Sequence, residues 1–378
     1  MLFLLRVTYT APNSETKPTE SSSLIVSYEG GAVPYSLQRN GNNVTIETSS
    51  LQIKVVTDND WVGFYDVDGT ALLTEPYNKS GYVNGKQYTP QTDPVNGKKT
   101  YEFSQKWQLP SESEKNTALY GFGEYQNGLS NYRDATIRCL QWNTQACIPF
   151  LVSNQYWGIL WDSYTITMWN EPDEEIELVP MHLFNGGGWL NYTATFTAPT
   201  INNNNNNDTS KNSYTYNFWL ELLGPYDWPY GSDTLFVNAT IVDSNGEQVA
   251  QRVVIDWNNQ NNLGGQMLGR LQLQPNQTAM FTLFIRCADV ISPKFFVRYP
   301  SVSLDISSTY TDYIDYYFVY SPPLTSPNQT QSQWFNTRMD NVIQGFRLLT
   351  GTAPMYPIWA YGFWQCRERY HNQSEILG

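Results

Sequence analysis

Helical spacing of apolar residues is confined to one late segment of this chain. In Gln331–Thr350 the residues Trp334, Phe335, Met339, Val342, Ile343, Phe346 and Leu349 recur every three or four positions, and Gly351 follows as a stop. Upstream, apolar residues alternate with polar ones or form short runs, and no segment holds a 3.6-residue period. A chain patterned this way predicts stacked sheets, with a mainly β fold.

Particular strands can be read off. Val44–Thr48 and Leu51–Val55 alternate apolar and polar residues. Trp61–Glu75 holds Val67-Asp-Gly-Thr70 between two apolar runs and predicts a hairpin. Asp66-x-Asp68-Gly69 lacks the remaining spacing and closing Glu of a calcium loop, so a turn is the better reading. Residues 76–118 are polar, with turn dipeptides at Asn84-Gly85 and Asn96-Gly97. Strand character returns at Ile148–Val152, Trp157–Trp161 and Ile166–Trp169.

Breaks in composition divide the chain. Residues 1–23 are polar and Ser/Thr/Pro-rich after their first five, and read as a flexible lead-in. A glycine run at 186–188 and a run of six Asn at 202–207 mark loops. Between them and residue 300 lie Leu190–Phe196, Tyr214–Leu222, Thr234–Ile241, Gln251–Trp257, Leu268–Leu273 and Met280–Cys287, a coherent set of strands. Strand-like sequence resumes at Ser301–Tyr320. The expected organisation is a first β-sandwich from 24–185 and 300–330, a second sandwich of 186–299 inserted into it, and a linker helix plus a short apolar strand in 331–378. That strand, Ile358–Trp364, reads as a buried parallel type.

Composition narrows the partners. The net charge is −13, without a basic cluster, which disfavours a nucleic-acid partner. No stretch is long and apolar enough for a membrane-spanning helix, and no membrane partner is expected. Met1–Leu5 is apolar but too short for a signal-peptide core, although it could be the remnant of one. The four cysteines, Cys139, Cys147, Cys287 and Cys366, form no metal-binding spacing, and His182 and His371 are the only histidines, so neither metal nor cofactor is expected. Cys139 and Cys147 could pair across a hairpin, but buried free thiols are the favoured expectation. Glycosylation sequons at Asn43, Asn78, Asn191, Asn207, Asn238, Asn276, Asn328 and Asn372 weakly favour a secretory or lysosomal location.

Three segments, in order and spacing, resemble glycoside hydrolase family 31, and their wording resembles its α-xylosidase branch. They are Tyr120-Gly-Phe-Gly-Glu-Tyr-Gln-Asn-Gly-Leu-Ser-Asn-Tyr132 with Gln141–Val152 and Trp157–Asp162; Asp315–Tyr320 with Leu349–Pro354; and Trp359–Tyr370. The resemblance covers roughly 24–185 and 300–378. Gly187–Phe196, Leu235–Asn238, Val253–Trp257 and Arg270–Gln277 resemble a protective-antigen-type sandwich, a module that in some α-xylosidases helps bind longer substrates.

The resemblance implies a galactose-mutarotase-like N-terminal sandwich, the inserted sandwich, and the first strand of a (β/α)8 barrel. It also implies hydrolysis of O-glycosyl bonds with retention, by two carboxyl groups about 5–5.5 Å apart. In the family both are aspartates on later barrel strands, so no catalytic residue is expected in this chain, and inactivity of the chain alone is expected. The substrate-binding candidates are Trp364, which in the family faces the reacting sugar, and Trp142, Asn143 and Gln145 in the sandwich loop over the barrel mouth. Related α-glucosidases place an aspartate in that loop; here Gln145 is the nearest candidate. The partners implied are an oligosaccharide or glycan and the rest of a barrel. The alternative is a non-catalytic carbohydrate-binding β-sandwich protein.

Overall fold

The computed structural model describes residues 3–11, 23, 25–27, 31, 33–78, 81–110, 117–125, 127–139, 146–181, 189–200, 213–223, 234–258, 267–286, 292–301, 303–323, 331–362 and 372–374. Two β-sandwiches account for most of them.

The first sandwich has a five-stranded sheet in the order Phe3–Thr10, Tyr313–Tyr320, Trp157–Trp161, Ala146–Ser153, Leu119–Glu124. Facing it is a ten-stranded sheet in which Ser303–Thr311 and Lys99–Gln108 are central and Ile137–Cys139 and Ser36–Asn40 lie at the ends of the path. Aromatic side chains fill the space between. Phe64 stacks on Phe318 with ring centroids 4.1 Å apart, and Trp107 meets Tyr316 edge-on at 5.4 Å.

The middle of the five-stranded sheet is apolar on both faces. Trp157–Trp161 is buried throughout, and Tyr313–Tyr320 is buried at all but its first residue. A half-solvated strand would alternate. Here the second face is covered by the helix Gln331–Thr350, whose Val342 and Leu349 pack with Phe150, Leu160 and Val319. Phe346 stacks on Phe150 at 4.6 Å. Arg338 fixes the helix in place: its guanidinium lies 3.8 Å from the Tyr156 ring centroid and donates to the Ser321 carbonyl at 2.9 Å.

The second sandwich pairs a four-stranded sheet with a five-stranded one. Phe218, Phe281 and Phe295 anchor a separate core, with Phe218 and Phe281 centroids 4.8 Å apart. Its strands include Trp189–Thr197, Tyr214–Leu223, Thr234–Val242, Gln248–Asn258, Met267–Leu273 and Thr278–Arg286, which overlap the six expected from sequence. Its sheets also take in Glu174–Ile176 and Val179–Pro180, upstream of the expected start at 186. Ile176 is apolar and faces that core, so the acidic residues around it did not prevent a strand.

Two expectations need correction. Residues 3–10 do not belong to a flexible lead-in: Phe3–Thr10 pairs along its whole length with Tyr313–Tyr320, and Arg6 is bidentate to the buried Asp315 carboxylate, with the closer contact at 2.6 Å. The segment expected as a buried strand at 358–364 forms a 3-10 turn over Ile358–Tyr361 instead, with Ile358 89% exposed. Among the described residues no strand lies beside it. Its backbone bonds close locally, Ala360 N–H to the Pro357 carbonyl and Gly362 N–H to the Trp359 carbonyl. Phe363 and Trp364 lie outside the described residues.

Candidate functional site

The segment 140–145 joins two strands of opposite sheets. Ile137–Cys139 is an edge of the ten-stranded sheet, and Ala146–Ser153 belongs to the five-stranded one. A disulfide between Cys139 and Cys147, Cα atoms 5.4 Å apart, therefore staples the two sheets at the foot of the segment. This overturns the expectation of free thiols. Two strands of different sheets converge here, which a hairpin argument from spacing could not foresee.

The neighbouring strand explains the Tyr120-Gly-Phe-Gly-Glu124 wording. Gly121, Phe122 and Gly123 all have positive φ, at 110°, 67° and 100°. Pairing with Ala146–Ser153 slips there, from Gly121↔Leu151 to Gly123↔Cys147. A Cβ on Gly123 would sit 1.9 Å from the Ala146 carbonyl oxygen, so only glycine lets the strand come this close to the stapled segment. The irregular backbone drives Phe122 into the core, where it is 1% exposed and packs against Trp169 and Tyr132. Beside it lies a small polar group. Asn127 accepts from the Leu129 N–H at 3.0 Å, while its Nδ2 and the Tyr125 hydroxyl are buried without a partner among the described residues. Burial raises the Tyr125 and Tyr132 phenols above their ordinary range, so both remain protonated donors at neutral pH.

Trp142, Asn143, Gln145 and Trp364, the four residues expected from the resemblance to contact a sugar, lie outside the described residues. So do Cys287, Cys366, His182 and His371. The structure describes the strands on either side of 140–145 and the Cys139–Cys147 staple between them.

Three buried carboxylates elsewhere have structural partners. Asp315 accepts from Arg6 and from Thr8 at 3.2 Å, and Asp66 accepts from Tyr320 at 2.7 Å. Glu75 is paired with Lys86 and accepts from Gly85 N–H at 2.9 Å. Burial pushes the Asp315 and Glu75 carboxyls up, against their cationic partners. No group of three or more His, Cys, Asp or Glu side chains suited to a metal occurs among the described residues.

No family model matches the chain. A segment of 63 residues, 17% of this chain, is 44% identical to the α-xylosidase of Saccharolobus solfataricus and corresponds to 7% of that protein. Among solved structures, the family 31 α-xylosidase of Xanthomonas citri superposes with a TM-score of 0.65 at 21% identity, over 99% of this chain. A family 31 α-xylosidase from a soil metagenome, complexed with xylose, gives a TM-score of 0.45 at 16% identity over 99% of this chain. The chain spans 40% of the X. citri enzyme and 34% of the metagenome one. The described part of this chain, two β-sandwiches with a helix packed on the five-stranded sheet of the first, thus has the fold of the corresponding part of the X. citri family 31 α-xylosidase.

Proposed function

We propose that this chain forms the β-sandwich part of a retaining α-glycosidase that hydrolyses O-glycosyl bonds, with an α-xyloside or α-glucoside as substrate. The observation supporting this most directly is the fold it has in common with the X. citri α-xylosidase over 99% of its length. The short, more similar stretch of the S. solfataricus α-xylosidase points to the same class.

In this reading the segment 140–145 offers Trp142, Asn143 and Gln145 to a sugar, and Trp364 offers a ring to the same sugar. Amides both donate and accept, which suits hydroxyl groups, and indole faces suit the C–H face of a pyranose. The Cys139–Cys147 staple restricts the ends of the segment before any ligand arrives, so less order is lost on binding. The two reacting carboxyl groups belong to a barrel. The disulfide also fits an oxidising compartment and a secretory route.

The test is hydrolysis of p-nitrophenyl α-xyloside and α-glucoside by the full product of the gene encoding this chain, with the first-formed anomer followed by NMR. Release with retention is expected, and Trp142→Ala and Gln145→Ala should each lower kcat/KM about 10-fold or more, the equivalent of about 1.4 kcal/mol. Sugar binding without hydrolysis of either compound would favour the carbohydrate-binding alternative.

A further inference from the structure

We propose that the cavity at the passage between the two sandwiches is a second carbohydrate site, taking a neutral oligosaccharide. It goes beyond the reading above and would stand even for a protein without hydrolytic activity.

The cavity has a volume of about 610 Å³, within the usual range for small-ligand sites. Its floor is the outer surface of the first sandwich, through Ser104 and Lys106 on Lys99–Gln108 and Asp305 on Ser303–Thr311. Both crossings of the chain form one wall, Glu171-Pro172-Asp173 on the way into the second sandwich and Arg298 on the way back. An arm made of residues 76–78 and 83–87 forms the other.

That arm is held firmly. Lys86 is buried against Glu75 and donates to the Asp60 carbonyl at 2.7 Å, and the Glu75 carboxylate accepts from Gly85 N–H. Gly85 approaches the floor so closely that a Cβ would lie 2.2 Å from the Lys106 carbonyl oxygen. The opposite wall is fixed by Arg298, which bonds Asp305 at 2.7 Å and the Glu171 carbonyl at 2.6 Å. The cavity is therefore preformed.

Its chemistry selects the ligand. An anion would face the carboxylates of Glu171, Asp173 and Asp305, and a metal cation would face Lys106 and Arg298. Mixed charges alongside the Gln87 and Asn84 amides suit groups that donate and accept at once, as hydroxyls do. At the rim the Tyr77 side chain is 55% exposed and Pro76 and Val83 add apolar surface, a place for the C–H face of a sugar ring. One lining side chain carries a buried donor without a partner among the described residues, Arg298 Nε. A sugar hydroxyl, or a water held behind it, can serve it.

Titration calorimetry with maltotriose and xylotriose tests the proposal. The protein should be made in bacteria, so that Asn78 at the rim, the first residue of a sequon, stays unmodified. Saturable binding of at least one trisaccharide is expected. Tyr77→Ala and Gln87→Ala, both at exposed positions, should each weaken it at least 10-fold, and the sugar should slow amide exchange in 76–87 and 171–173. Inorganic phosphate and calcium chloride should not compete. Absence of binding, wild-type affinity in both variants, or competition by phosphate or calcium would overturn the proposal. Binding lost in Trp142→Ala but kept in Tyr77→Ala would assign the sugar to the segment 140–145, sinking the cavity site while leaving the glycosidase reading intact.

Discussion

The junction between the sandwiches should make this protein less stable as pH rises from 5 to 8, and Asp134 is the reason. Its side chain is 14% exposed and lies 3.7 Å from Arg133. Arg298 and Arg270 also act on it, yet burial outweighs all three cations and raises the carboxyl from 3.8 to about 6. Arg270 is tied to this place, donating to the Asn131 carbonyl at 2.7 Å from the second sandwich. The folded chain thus binds the Asp134 proton more tightly than the unfolded chain does. The resulting stabilisation is complete below the unfolded value near 4 and is lost as pH rises through about 6. The gap of about 2 pH units corresponds to about 3 kcal/mol at high pH. Asp134→Asn keeps the shape and tolerates the positive φ of 57° at this position. In urea unfolding at pH 8 it should be about 3 kcal/mol more stable than the wild type, an advantage that shrinks to roughly half at pH 5. A variant less stable than wild type at pH 8, or one with the same advantage at both pH values, would refute the argument, because attraction to the three arginines would then outweigh burial.

Three further outcomes follow from other parts of the frame. Replacing Cys139 and Cys147 together by Ser should cost about 2–3 kcal/mol, as expected for opening a short loop, and limited proteolysis should then cut within 140–145. Gly123→Ala should lower the urea midpoint by an amount worth about 2 kcal/mol or more, since it adds both a backbone clash and an unfavourable φ, whereas Gly41→Ala, whose Cβ meets open space, should pay only the backbone part. Lys86→Met leaves the Glu75 carboxylate, whose side chain is 0% exposed, without its cation and should destabilise by about 3–5 kcal/mol in the same assay.

Local pattern carried the second sandwich and the helix into view, because both declare themselves by periodicity within a few residues. Trp157–Trp161 was equally plain as an apolar run. What escaped was non-local. Phe3–Thr10 looks like part of a polar lead-in until its partner, about three hundred residues later, is known. Lys99–Gln108 was hidden by its polar residues, since Gln105 faces inward between Phe103 and Trp107. The run Ile358–Trp364 has the composition of a buried strand, yet composition does not provide the neighbouring strands on which such a strand depends. For the site, the Gly-Phe-Gly motif was legible as wording, and its cause, a close approach to the Ala146 carbonyl, needed coordinates. The cavity residues were invisible as a group because five separate stretches of chain contribute them.

The pairing of Phe3–Thr10 with Tyr313–Tyr320 also sets the order of folding. On a ribosome, the opening strand must wait for nearly the whole of this chain before its neighbour emerges. The second sandwich lies between 174 and 298 and holds its own core, so it can complete first. Once formed, it brings Glu171 and Arg298 together and turns a separation of more than a hundred residues into a short tether, which lowers the loop-closure cost for every remaining pair of the first sandwich. The insertion is then an internal folding aid: variants that weaken its core, such as Phe281→Ala, should slow closure of the outer sandwich even though they touch none of its strands.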